Sequence, residues 1–323
     1  MPDYLEQGFF AKVGAWHNKG VVADRRLTRE EAYNLSGQNY EVIRRPIHVD
    51  GKEVADHFAT VRADTGSVLG VVGDQYKIIQ NKSLYDVLEP VVAEGEAVYE
   101  TGGVLKGGAV VWALAQLEKH HFCVGKEDLV KMYTLTALAH DGSRPFTGAP
   151  TAIRVVCWNT ISIALSIADG LDENVIRIAH KGNPEYQLKI AHHLLGMTAA
   201  NSGEWSEFFT AIAAKQMTSP LIREFAAAMF PSKKEDDGKP AGALIARQRL
   251  AILDGFEAVI NNVSKDVQHS GWTAYNALTD FIDHTRPMRR GGEREYYSLF
   301  GGGQQVRAHA IRWLGKELLN KEL

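Results

Sequence analysis

Three apolar stretches between residues 102 and 160 set the pattern of the chain. GGVLKGGAVVWALAQL, DLVKMYTLTALAH and TAIRVVCWNT each read as a strand, and the last runs directly into ISIALS, which reads as a helix. Alternation in the first puts Val110, Trp112 and Leu114 on one face and Val111, Ala113, Ala115 and Leu117 on the other. Both faces are apolar, which predicts a strand inside a sheet. In the third stretch Arg154 shares a face with Val156 and Trp158. A cation among apolar residues on a strand is either paired or aimed at an anion.

Upstream, Thr28 with Glu31 three positions later predicts a capped helix over AYNL. YEVIRRPIHVDG and VADHFATVRADTGSVLGVVGDQYKIIQN alternate around an Asp50-Gly51 turn and a second turn at Ala63 to Gly66, which predicts a β-hairpin or meander. Asn81 or Ser83 caps the next helix, LYDVLEPVVAEG, whose stripe is Leu84, Val87, Leu88 and Val91, with Pro90 as a kink. Glycine pairs Gly102-Gly103 and Gly107-Gly108 flank a turn between strands. After Asn159 the spacing is helical to the end, with Ser219 as a cap before Pro220. Residues 231–242, PSKKEDDGKPAG, have no apolar anchor and read as a mobile loop. The fold expected is α+β: an antiparallel sheet with packed helices over residues 1–175, in the order β-hairpin, helix, three strands, helix, then a mostly helical region over 176–323.

Composition narrows the function classes only a little. A net charge of -3 argues against a basic coat over the whole surface but leaves room for a local basic groove. The two cysteines, Cys123 and Cys157, form no CxxC and read as core packing in a reducing, cytoplasmic setting. The first residues carry no secretory leader, and no run of about 20 apolar residues predicts a membrane span. Phosphate-loop, HExxH, EF-hand and GxSxG signatures are all missing, which weakens enzyme readings without removing them; no metal ligand set and no cofactor motif is read in the chain.

Two sets of residues remain as candidate chemistry. Arg62, Lys106, Lys131, Arg144 and Arg154 lie on or beside predicted strands, and a sheet that gathers them would form a groove able to follow a phosphate backbone. Arg289 and Arg290, in the Gly-rich basic segment RPMRRGGEREYY, extend this set. Separately, Asp64, His140 and Asp141 could form an acid-base or metal-binding polar site in sheet-edge loops, where site residues often sit. Each cation alone also fits a snorkelling or salt-bridged surface residue, and the Asp141-Gly142 pair also fits a plain turn.

Six landmarks, WHNKG from Trp16, ATVRADTGSVLGVVGDQYKIIQN at 59–81, GGAVVWALAQL at 107–117, LAHDGS at 138–143, TAIRVVCWNT at 151–160 and TAYNALTDFIDH at 273–284, resemble a family of phage- and plasmid-borne proteins of unknown function. The chain departs from that pattern at Lys19, Ala152 and Trp158. The resemblance implies a mobile-element setting among replication and recombination genes, with an exonuclease or replication protein as a partner. The predicted element order also resembles the single-strand annealing proteins of the RecT, Red beta and Erf type. That second resemblance implies a cofactor-free ring or filament of identical subunits holding single-stranded DNA in a basic groove. The reading favoured from sequence is therefore a single-stranded DNA binding and annealing protein. The alternatives are a metal-dependent enzyme acting on nucleic acid or nucleotides, and a non-catalytic assembly protein of a mobile element.

Overall fold

The computed structural model describes residues 7–11, 21–154, 159–161, 175–181, 183, 193–232, 240–258, 263–288 and 294–321. The fold is α+β. Strands β1 (Gln7–Ala11) and β2 (Val21–Ala23) precede α1 (Arg29–Leu35), then β3 (Val42–Val49), β4 (Lys52–Arg62) and β5 (Val68–Gly73) lead into α2 (Ser83–Ala93). Strands β6 (Ala97–Leu105), β7 (Val110–Val124), β8 (Asp128–Ala139), β9 (Phe146–Arg154), β10 (Asn159–Ile161) and β11 (Ile176–Ile178) follow. Helices α3 (His193–Ala213), α4 (Ser219–Met229), α5 (Ala243–Glu257), α6 (Gly271–Asp280), α7 (Arg294–Phe300) and α8 (Gly302–Leu319) complete the described chain. The larger sheet has the order β10-β9-β8-β7-β6-β1-β2, with β11 also paired to β9, and β3-β4-β5 form a separate antiparallel meander.

Local signals account for much of this. Thr28 accepts the Glu31 backbone N–H while the Glu31 carboxylate accepts that of Thr28, the reciprocal box that starts α1. Asp50 and Gly51 both take positive φ, 52° and 77°, the geometry that a two-residue hairpin turn requires. In α2 Leu84, Val87 and Leu88 are buried, as the stripe predicts, and Val91 packs against the same core. Each such side chain contributes about 1.5–3 kcal/mol on burial.

Elsewhere the structure corrects the sequence reading. The stretch read as one apolar strand is two, joined by the turn that the glycine pairs predict: the chain reverses at Lys106–Gly108, where Gly107 and Gly108 take positive φ, so β6 and β7 pair antiparallel. A count of apolar residues alone misses the reversal because both strands are buried. Strand β9 begins at Phe146, inside a segment read as loop, and Ile161 closes β10 by pairing back on Ala152 instead of opening a helix. The rest of that expected helix, and Trp158, lie outside the described residues, as does most of the loop expected at 231–242. Asn81 caps nothing. Helix α2 starts from Lys82 without a side-chain cap. Thr218, one residue before Ser219, takes the N-cap position of α4. Cys123 is exposed on β7 and is not a core residue, while Cys157 lies outside the described residues.

The chain divides into two compact units, one comprising residues 1–119, 132–150 and 173–199 and the other 120–131, 151–172 and 200–323. The core of the first covers one face of β6 and β7, where Tyr99, Val111, Ala113 and Ala115 meet Ala32 of α1 and Leu84, Tyr85 and Leu88 of α2. The core of the second centres on Phe209, whose ring lies 5.1 Å from that of Trp272 and 5.6 Å from that of Tyr275. Every residue of α6 is buried, and the Trp272 indole N–H is satisfied by the buried Asp128 carboxylate at 2.8 Å.

Candidate functional site

The polar features of the first unit gather where three segments meet: the Lys106–Gly108 turn, the turn after β8, and the β4–β5 strands. The His140 backbone N–H donates to the Ala109 carbonyl at 2.7 Å, and Thr60 Oγ1 donates to the His140 carbonyl at 2.7 Å. Strand β5 passes so close to Asp141 that only glycine fits at position 70, where a Cβ would overlap the Asp141 backbone. A Cβ on Gly108 would stand 3.0 Å from Arg62 Cδ, which puts the turn against that arginine. Beyond Asp141 lies a cleft of about 700 Å³, lined among others by Asp74, Gln75, Tyr76, Asp141, Arg144, His180 and Lys181.

His140 does not face this cleft. Its side chain is wholly buried, and its Nε2 lies 2.6 Å from Asn81 Oδ1. The Asn81 amide nitrogen donates to the carbonyls of Gln38 and Tyr40, so Oδ1 is the atom turned to the ring and Nε2 carries the proton. Nδ1 meets no hydrogen-bond partner. Burial, reinforced by the neighbouring His180, lowers the His140 pKa to about 3, with Asp141 opposing. The ring is therefore neutral across the physiological range and holds structure together.

Asp64 and Arg62, expected in different sites, bind each other. The guanidinium makes two bonds to the carboxylate, 3.1 Å from Nε and 2.8 Å from Nη2, and lies 3.8 Å above the Tyr40 ring. The bond from Arg62 keeps the Asp64 carboxyl below its ordinary range. Tyr40 is pushed up to about 12, by burial first and against the pull of Arg62.

His180, which sequence reasoning missed, is the hinge pin of the cleft wall. Its ring stacks on Tyr76 at 4.5 Å and 11°, and Nδ1 donates to the Lys77 carbonyl while Lys77 N–H donates to the His180 carbonyl at 2.6 Å. Burial lowers the pKa of this ring, against the backbone carbonyls of Lys77 and Arg144 that it faces. Tyr76 in turn donates to the Ala139 carbonyl at 3.0 Å. Its hydroxyl is driven well above the ordinary tyrosine range by burial, with Asp141 adding to the shift.

Of the predicted basic set, the first unit holds Arg62 against the turn that carries the exposed Lys106, and the half-buried Arg144 on the cleft, where Lys181 joins it. Lys131 is half-buried on β8 and belongs to the second unit. The backbone of Arg154 pairs with Asn159, but its side chain, like Arg289 and Arg290, lies outside the described residues. Asp74, Gln75, Tyr76 and Asn81 all sit within the GDQYKIIQN landmark, the one sequence signal that could have found them. Among the described residues no group of three or more His, Cys, Asp or Glu is placed to hold a metal ion, and no helix is long and apolar enough to cross a membrane.

Fold and cleft together define an α+β protein with a polar site built from strand-end turns. Residues 68–299 match the family model described as Domain of unknown function (DUF932), and the chain belongs to that family. The match takes in β5, the β8–β9 turn, every residue that lines the cleft, and α7 to within one residue of its end. No curated protein and no solved structure matches the chain.

Proposed function

We propose that this chain binds single-stranded DNA and anneals complementary strands, without a nucleotide cofactor and as an assembly of identical subunits, in the replication or recombination of a mobile element. The observation that carries this reading is that one unit sets Arg62 against the Lys106–Gly108 turn, joins that turn to His140 through the Ala109 carbonyl, and lines the cleft beyond Asp141 with Arg144 and Lys181. Cations set on neighbouring turns suit a polymer with one negative charge per nucleotide. Phosphate contacts supply most of the affinity whatever the sequence, which suits the annealing of arbitrary strands. Asp64 already offsets part of the Arg62 charge.

The test is a titration of a labelled single-stranded oligonucleotide, followed by fluorescence anisotropy at two salt concentrations. Tight binding at low salt is expected, with log K falling by about 0.7 per phosphate contacted for each tenfold rise in salt. A well-folded sample that fails to bind at low salt overturns the reading. Strand annealing is then measured with two complementary labelled oligonucleotides, and size-exclusion chromatography with and without DNA reports assembly.

A further inference from the structure

We propose that the cleft beside β5 receives one nucleobase of the bound strand and favours bases with an exocyclic amino group, adenine, guanine and cytosine, over thymine. The inference rests on the single-stranded DNA reading given above. Following a phosphate backbone calls for cations alone, yet this cleft sets two carboxylates, Asp74 and Asp141, beside Arg144 and Lys181. Neither carboxylate forms a salt bridge among the described residues. A carboxylate repels phosphate, so the group of a DNA strand that can meet these oxygens is a hydrogen-bond donor. On DNA such donors belong to the bases: adenine, guanine and cytosine carry an amino group with two N–H bonds, whereas thymine has its single ring N3–H, and a carboxylate accepting from an amino group is an established mode of base reading.

The site is also built to hold its shape. Ser143 N–H donates to Asp141 Oδ1 at 2.9 Å, which fixes that carboxylate within its turn and leaves Oδ2 to a ligand. Gln75 Nε2 donates to Asp74 Oδ2 at 3.2 Å, which leaves Asp74 Oδ1 and the Gln75 amide oxygen as acceptors. The volume, about 700 Å³, lies within the range of small-molecule sites, roughly 300–1,000 Å³, and suits a base with its sugar. Arg144 and Lys181 are then in place for the flanking phosphates.

Oligo(dC) and oligo(dT) of equal length, titrated at one salt concentration, test the idea. The expected outcome is tighter binding of oligo(dC) by about 5- to 10-fold, the lower end of what one base contact supplies. In Asp141→Asn, and separately in the exposed variant Asp74→Asn, that ratio should fall toward one even if both affinities rise as negative charge is removed. Circular dichroism checks that the variants fold. Equal affinities in the parent protein, or a ratio unchanged in both variants, overturn this inference alone. Failure of both oligonucleotides to bind overturns the DNA reading and this inference with it.

Discussion

The imidazole of His140 and the amide of Asn81 meet 2.6 Å apart in the interior of the first unit, 59 positions apart in sequence. Because the Asn81 nitrogen is committed to two backbone carbonyls, this contact needs a neutral ring that is protonated at Nε2. A proton added at Nδ1 would create a buried charge without a partner.

A stability dependence on pH follows. The folded pKa of His140, about 3, lies below the ordinary value of 6.5, so below pH 6.5 the unfolded chain binds a proton that the folded chain does not. The contribution of this group is complete above pH 6.5 and is lost as pH falls from 6.5 toward 3, at up to about 1.4 kcal/mol per pH unit. Denaturant melts at pH 7.5, 6 and 5 should show that loss, and His140→Gln should show a flatter profile over the same interval. Equal slopes for the two proteins would refute the assignment. Carboxylates titrate lower and affect both alike.

Removing the other partner tests the same contact from its far side. Asn81→Ala leaves the His140 N–H without its acceptor and takes one bond from each of the Gln38 and Tyr40 carbonyls, of which the first keeps the Tyr40 N–H; a buried group left unpaired costs about 1–3 kcal/mol. A destabilisation of at least about 2 kcal/mol is expected in urea unfolding. A change below about 0.5 kcal/mol would mean that these groups find other partners.

Glycine positions give a matched pair of opposite sign. Gly70→Ala would drive a methyl group into the Asp141 backbone, and overpacking of this kind costs about 1–3 kcal/mol or more. Gly203 is exposed within α3 with nothing near its would-be Cβ, so Gly203→Ala should stabilise by about 0.5–1 kcal/mol through helix propensity. Thermal melts of the two variants should move in opposite directions.

These contacts show where sequence reasoning stops. The α1 capping box, the Asp50-Gly51 hairpin and the apolar strands were legible because each depends on neighbours within a few positions. His140 and Asp141 are adjacent, yet one enters the core and the other lines the cleft, since the strand ends between them. Pairing them as an acid-base couple mistook adjacency for convergence. Arg62 and Asp64 were assigned to different sites although a single residue separates them, because they meet only where β4 gives way to the turn before β5. The cleft itself combines residues 71–76, 141–145 and 179–181, and no local pattern relates segments so far apart. What the sequence did mark was the GDQYKIIQN and LAHDGS stretches, which supply Gly73 to Tyr76 of the first segment and Asp141 and Gly142 of the second.

The second unit supplies a test independent of any ligand. Arg307 is fully buried and bonded to Asp283, whose side chain is 2 % exposed, where α6 continues as a π-helical turn over Phe281–Thr285. Ser298 donates its hydroxyl to the same carboxylate and accepts the guanidinium at 2.9 Å, while its carbonyl accepts Arg307 Nη1 at 2.8 Å. Desolvating two charges costs several kcal/mol each, so the pair as a whole contributes little net stability, but either partner left alone is a buried charge that has lost its counter-ion. Asp283→Leu and Arg307→Met should therefore each destabilise by about 3–5 kcal/mol, while the double variant should recover much of that loss. Urea unfolding of all four proteins gives the coupling energy. Additive losses in the double variant would show that the two side chains act separately and that the bonds around Ser298 carry the local stability.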